Sequence, residues 1–137
     1  MAKTLLYRLF GVGKMPAQWR ATVESEGVMV FDEGVPGSVT YRNFRAPGKR
    51  FTWRKIGFSG SIALTKSRLV ALHYGSPAIN VPRSDERFGK LQFSVEGDET
   101  FLVVFDPSLF HSDWSGTIEY RYRTAEAPAL FQALMQR

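Results

Sequence analysis

The segment Phe58–Tyr74 most constrains what this chain can fold into. Two apolar strand patterns, Ser61–Thr65 and Arg68–Tyr74, are joined by the polar corner Thr65-Lys66-Ser67-Arg68, which reads as a β-hairpin. Period-two alternation recurs on both sides of it. Val28–Phe31 is a first short strand, and Asp32-Glu-Gly-Val-Pro-Gly37 has the composition of a turn. Ser38–Arg45 then pairs with Phe51–Phe58 across Ala46-Pro-Gly-Lys49, and the slip in alternation between Trp53 and Ile56 predicts a bulge at Lys55.

Beyond the central hairpin, Gly75-Ser-Pro77 turns the chain into a strand over Ala78–Val81, and residues 82–89 form a polar connection. Leu91, Phe93 and Val95 alternate with polar residues. Thr100–Phe105 is a nearly continuous apolar strand, which predicts a central or doubly covered position. A loop or single turn over Asp106–Gly116 leads to a last strand, Thr117–Arg123. Thr124 then caps a helix in which Ala127, Leu130, Phe131 and Leu134 make one apolar stripe.

The N-terminus has a different period. Leu5, Leu6, Leu9 and Phe10 fall at helical spacing until Gly11-Val-Gly13 ends the pattern. The next stretch, Pro16–Ser25, predicts a short helix ending at Gly27, with Arg20 paired to Glu24 one turn on. The expected organisation is a tail and short helix over residues 1–26, followed by a β domain with its C-terminal helix over residues 27–137.

A chain of 137 residues suits one domain, and its 11 Phe, 5 Tyr and 3 Trp supply a large core for a sandwich or small barrel. The absence of cysteine removes disulfides and thiolate metal sites and makes a reducing cytoplasm the expected compartment. Arg8 interrupts the apolar start before it reaches signal-peptide length, and no run approaches the roughly 18 apolar residues of a membrane span.

Net charge is +5, but unevenly spread. Between Gly34 and Ser84 there is no Asp or Glu, whereas Arg42, Arg45, Lys49, Arg50, Arg54, Lys55, Lys66, Arg68 and Arg83 all fall there. The remainder has nine basic and thirteen acidic residues, so a basic flank and a mildly acidic one are expected. A plainer explanation of the same charges is that Lys and Arg protect exposed strand edges.

In element order and in the hairpin Gly60-Ser-Ile-Ala-Leu-Thr-Lys-Ser-Arg-Leu-Val-Ala-Leu72, the chain resembles the pleckstrin-homology superfold. The hairpin is similar to the Gly-x-Leu-x-Leu-Thr-x-x-Arg-Leu signature of GRAM and bacterial pleckstrin-homology-like families. The resemblance implies a mainly β, partly open barrel or sandwich of two roughly orthogonal antiparallel sheets, plugged by an amphipathic C-terminal helix. It also implies a non-catalytic binding or adaptor module without cofactor. The N-terminal segment is an addition that such domains do not need.

For an anion or lipid-headgroup contact the candidates are Arg42, Arg45, Lys49, Arg50, Arg54 and Lys55, on or beside the loop joining two early strands. An acidic protein partner or peripheral membrane contact would use the same kind of surface, whereas a protein-interaction or self-association module, a homo-oligomer included, would pair a peptide or another copy along exposed strand edges or dock the apolar N-terminal segment on a neighbour. Aromatics interleaved with these bases also suit stacking on single-stranded nucleic acid, but alternating aromatics are more often core and no ribonucleoprotein motif is present. A further alternative is a closed lipocalin-like barrel around an apolar ligand. No residue set spells out a reaction: His73 and His111 are the only histidines, and neither lies in a metal or nucleophile signature. The spacing Gly11-x-Gly13 lacks the rest of a dinucleotide fingerprint.

Overall fold

A computed structural model describes residues 3–136; Met1, Ala2 and Arg137, at the ends of the expected tail and domain, lie outside the described residues. Seven strands form one antiparallel sheet: β1 (Val28–Ala46), β2 (Lys49–Thr65), β3 (Arg68–His73), β4 (Ser76–Pro82), β5 (Gln92–Glu96), β6 (Thr100–Phe105) and β7 (Ser115–Arg123). Their spatial order is β4-β3-β2-β1-β7-β6-β5, so two meanders are joined where β1 pairs with β7. Among the described residues three α-helices accompany them: α1 (Leu5–Phe10), α2 (Ala17–Glu26) and α3 (Ala127–Met135).

The chain is mainly β, and the sheet is open. Its outer strands, β4 and β5, do not pair with each other. The sheet nevertheless curls far enough for the Tyr122 hydroxyl on β7 to donate to the Leu72 carbonyl on β3 at 3.1 Å, although β1 and β2 lie between them in the ladder. Tyr122, Phe101, Ile62 and Leu64 fill the interior, and α3 covers the open side with Ala127, Leu130 and Leu134. A closed lipocalin-like barrel is therefore not formed.

β1 is the spine. It continues through Asp32–Gly37, where composition predicts a turn, because every residue there from Asp32 to Gly37 except Gly34 has a partner on β2. The turn chemistry survives only as a bulge: Gly34 sits at φ 67° and the register shifts between Glu33 and Val35. Pro36 immediately precedes the β1–β7 ladder, which begins at Gly37. Lys55 is not a bulge, since it pairs with Thr40 in unbroken register. The slip in alternation on β2 lies across the ladder from Asn43, which sits in the left-handed region at φ 49° where the β1–β7 register also shifts.

The other face of β1–β3 has its own small core. Met15 and Val23, with Trp19 beside them, pack on Ala63, Val70, Leu72 and Phe31. This explains why β2 is buried without interruption from Phe58 to Thr65. Residues 3–26 thus cover part of the sheet. The expected Arg20–Glu24 pair forms at 3.2 Å on α2, and Gly27 ends that helix. Thr124 caps the approach to α3, accepting from the Glu126 amide at 3.0 Å. Among the described residues no helix is long and apolar enough to cross a membrane.

Candidate functional site

The free end of the β1–β2 hairpin holds all six candidate bases, and all six are exposed. Pro47 and Gly48 make the turn, with Gly48 at φ 75°, the pairing of residues that a type II turn requires. From Lys49 to Phe58 only one edge of β2 is paired, to β1, because β3 begins to pair at Gly60.

Ordinary strand alternation would put Tyr41 and Phe44 on opposite faces. The left-handed Asn43 brings them together instead, with ring centroids 4.8 Å apart. Gly116 makes this kink possible by lying against the Asn43 and Arg42 carbonyls, where a Cβ would meet backbone. Across the hairpin, Phe51 stacks on Phe44 at 5.9 Å, and Trp114, from the loop before β7, meets Phe44 edge-on at 5.4 Å. These rings, with Tyr41 and Ile56, wall a cleft of about 210 Å³ whose remaining lining is Lys49 and Arg54. The Arg54 guanidinium lies 4.9 Å from the Phe51 ring centre, a cation–π contact that orients it without neutralising it. Burial pushes the Tyr41 phenol above its ordinary pKa, against the pull of Arg54, so it remains a neutral donor at physiological pH.

A second cleft, of about 190 Å³, adjoins the first and shares Tyr41 and Trp114 with it. It is lined by Phe105, Phe110 and Tyr120, with His111 stacked 3.8 Å from Trp114. Burial holds the Tyr120 phenol well above its ordinary range. Together the two clefts make an aromatic trough with cations at one end.

The six bases do not act as one set. Arg42 is spent on Glu119, at 2.7 Å. Lys55 lies opposite Thr40 and lines a separate shallow surface with Arg121 and Arg123. Arg45 and Arg50 are direct cross-strand partners, a like-charge pairing that costs stability. Since Phe44 and Phe51 point into the cleft, their neighbours Arg45 and Arg50 alternate to the opposite face. Only Lys49 and Arg54 stand on the cleft itself. Among the described residues, Arg45, Lys49, Arg50, Arg54 and Lys55 have no carboxylate within ion-pair distance.

Sequence reasoning missed Trp114 and the trough behind it. Its only signal was an aromatic in a loop, and its position depends on the kink at Asn43. Trp53, one of the aromatics interleaved with the bases, is 58% exposed opposite Arg42 on β1, whereas Phe44 is buried in the core. His73 packs on Phe58 with ring centroids 4.6 Å apart, and burial lowers its pKa. No group of three or more His, Asp or Glu suited to a metal occurs among the described residues. No family model matches the chain, and no curated protein matches it in sequence.

Proposed function

We propose that this chain is a non-enzymatic binding module of pleckstrin-homology or GRAM-like type, whose β1–β2 hairpin receives an anionic lipid headgroup at the surface of a cytoplasmic membrane. The observation that carries this reading is the cleft in which Lys49 and Arg54, without acidic partners among the described residues, stand over aromatic walls. Arg45 and Arg50 do not line the cleft, but at the same hairpin tip they add to the field an anionic surface meets, and their mutual repulsion is relieved as that surface approaches. Seven antiparallel strands followed by a helix over the open side support the family reading.

At about 1 kcal/mol per basic residue near an anionic surface, Arg45, Lys49, Arg50 and Arg54 give about 4 kcal/mol, a Kd on the order of millimolar. Charge alone therefore gives transient contact, and the trough must supply the rest through apolar and stacking contact.

Co-sedimentation with phosphatidylcholine vesicles, with and without phosphatidylserine, at low and high salt tests the proposal. The expected result is a salt-sensitive preference for the anionic vesicles that the double variant Lys49→Glu/Arg54→Glu loses. Equal salt-sensitive binding by wild type and variant would remove the hairpin as the site. A second reading, docking of an acidic peptide strand, is favoured by the unpaired edge Lys49–Phe58. It predicts binding to such a peptide in the absence of any lipid.

A further inference from the structure

Helix α1 is mounted the wrong way round for a helix that lies on a protein in water. Leu5, Leu6, Leu9 and Phe10 are between 49% and 75% exposed, and their spacing puts all four on one face. The opposite side is fastened by polar contacts. The Thr4 hydroxyl accepts from the Tyr7 amide at 3.0 Å and bonds to the Ser59 hydroxyl at 2.8 Å. The Tyr7 hydroxyl donates to Glu33 at 2.7 Å, and its ring occupies the space a Cβ on Gly34 would need. Lys3 pairs with Asp32. The helix cannot roll to hide its leucines, because the surface beneath it is Asp32, Glu33 and Ser59.

We infer that α1 is a shallow membrane anchor, which inserts Leu5, Leu6, Leu9 and Phe10 among the lipids of a bilayer surface. Charge on the rim selects this occupant. Arg8 and Lys14 are exposed and have no carboxylate partner among the described residues. The nearby acids are already engaged, Asp32 by Lys3 and Glu33 by Tyr7 and Arg20. What remains is an apolar face with a cationic border, the composition of an interfacial helix. A second copy fits less well. The four side chains offer on the order of 500 Å², against the roughly 800 Å² each partner contributes to a stable dimer. Two-fold apposition would also bring the cationic rim against itself.

This inference does not depend on the hairpin. About a dozen residues of β1 separate the bulge under α1 from the turn at Pro47, on the order of 40 Å of extended strand. The two contacts also differ in kind, since burial of leucine and phenylalanine survives salt that screens Lys and Arg.

The test is co-sedimentation of the full chain with phosphatidylcholine vesicles at high salt, comparing wild type with Leu9→Glu/Phe10→Glu, Phe10→Ala and the hairpin variant Lys49→Glu/Arg54→Glu. The expected result is residual wild-type binding that the hairpin variant keeps, that Phe10→Ala weakens severalfold, and that Leu9→Glu/Phe10→Glu reduces at least tenfold. Circular dichroism is expected to match wild type, because the substituted side chains are exposed. Absence of high-salt binding by wild type would overturn the inference, as would α1 variants that bind like wild type. A wild-type dimer in light scattering that Leu9→Glu/Phe10→Glu converts to monomer would overturn it in favour of self-association.

Discussion

Replacing Arg50 by Glu should make the protein more stable and a poorer binder at once. Arg45 and Arg50 face each other across the β1–β2 ladder, both exposed and both without acidic partners among the described residues. An opposed charge pair on a strand surface differs from a like pair by about 1 kcal/mol, and solvent screening at so exposed a position trims this to about 0.5–1 kcal/mol. For a domain of this size that is a rise in Tm of about 2–4 °C. Binding moves the other way. Reversal removes one attraction and adds one repulsion, about 2 kcal/mol in all near an anionic bilayer, so vesicle partitioning should fall roughly 30-fold. Thermal denaturation at low salt and co-sedimentation on the same preparation read both quantities. The gain in Tm should shrink at high salt, and Arg45→Glu/Arg50→Glu, which restores like-charge repulsion, should abolish it. If Arg50→Glu lowers Tm and leaves partitioning within threefold, the hairpin is only a solvated edge and the reasoning fails.

Leu130→Ala on α3 removes a fully buried side chain from the main core and should cost about 3 kcal/mol in urea unfolding, whereas exposed Gln132→Ala should cost under about 0.5 kcal/mol. Glu119 is pushed up by burial, but hydrogen bonds from Arg42 and Arg121 outweigh this and hold its pKa below the ordinary 4.5. Its contribution is therefore present above about pH 4.5 and is lost as pH falls through the lower folded value. Glu119→Gln should be less stable near neutrality, by on the order of 1 kcal/mol, and should show a shallower acid limb in a stability–pH profile. Gly34→Ala forces a left-handed alanine and drives a Cβ into the Tyr7 ring, so limited proteolysis should cut residues 3–14 faster than in wild type while the β core stays protected.

What the chain's pattern showed, and what it hid, follows from the range of the interactions. The hairpin around Lys66 was legible because its chemistry is local: the Thr65 hydroxyl accepts from the Ser67 and Arg68 amides at 3.2 and 2.9 Å, within its own corner. The apolar stripe of α3 was legible for the same reason. Asp32–Gly37 was not, because Gly34 and Pro36 have turn chemistry while the deciding partners, Ser59 to Ile62, lie more than twenty residues away. The six bases were legible as a cluster but not as a site. One left-handed residue, Asn43, reverses which side chains face the cleft, and alternation read through it assigns Phe44 and Arg45 to the wrong faces. Helical spacing likewise showed the leucines of α1 but not their direction, which is set by Glu33 and Ser59 elsewhere in the chain.

One strand joins the two proposed contacts, and that shapes how they combine. β1 carries the bulge that seats α1 near one end and the cationic turn at the other, and its pairing with β2 runs the whole way between them. No flexible linker intervenes, so little ordering entropy is lost when the second contact follows the first, provided both reach the same surface. A flat bilayer meets that condition only when the axis of β1 lies along it. On these two proposals, a hairpin contact on the order of millimolar would become effective once α1 had placed it at the lipid surface. Salt should then strip the headgroup contribution and leave the apolar one, so that each half of the proposed attachment is separately measurable in one chain.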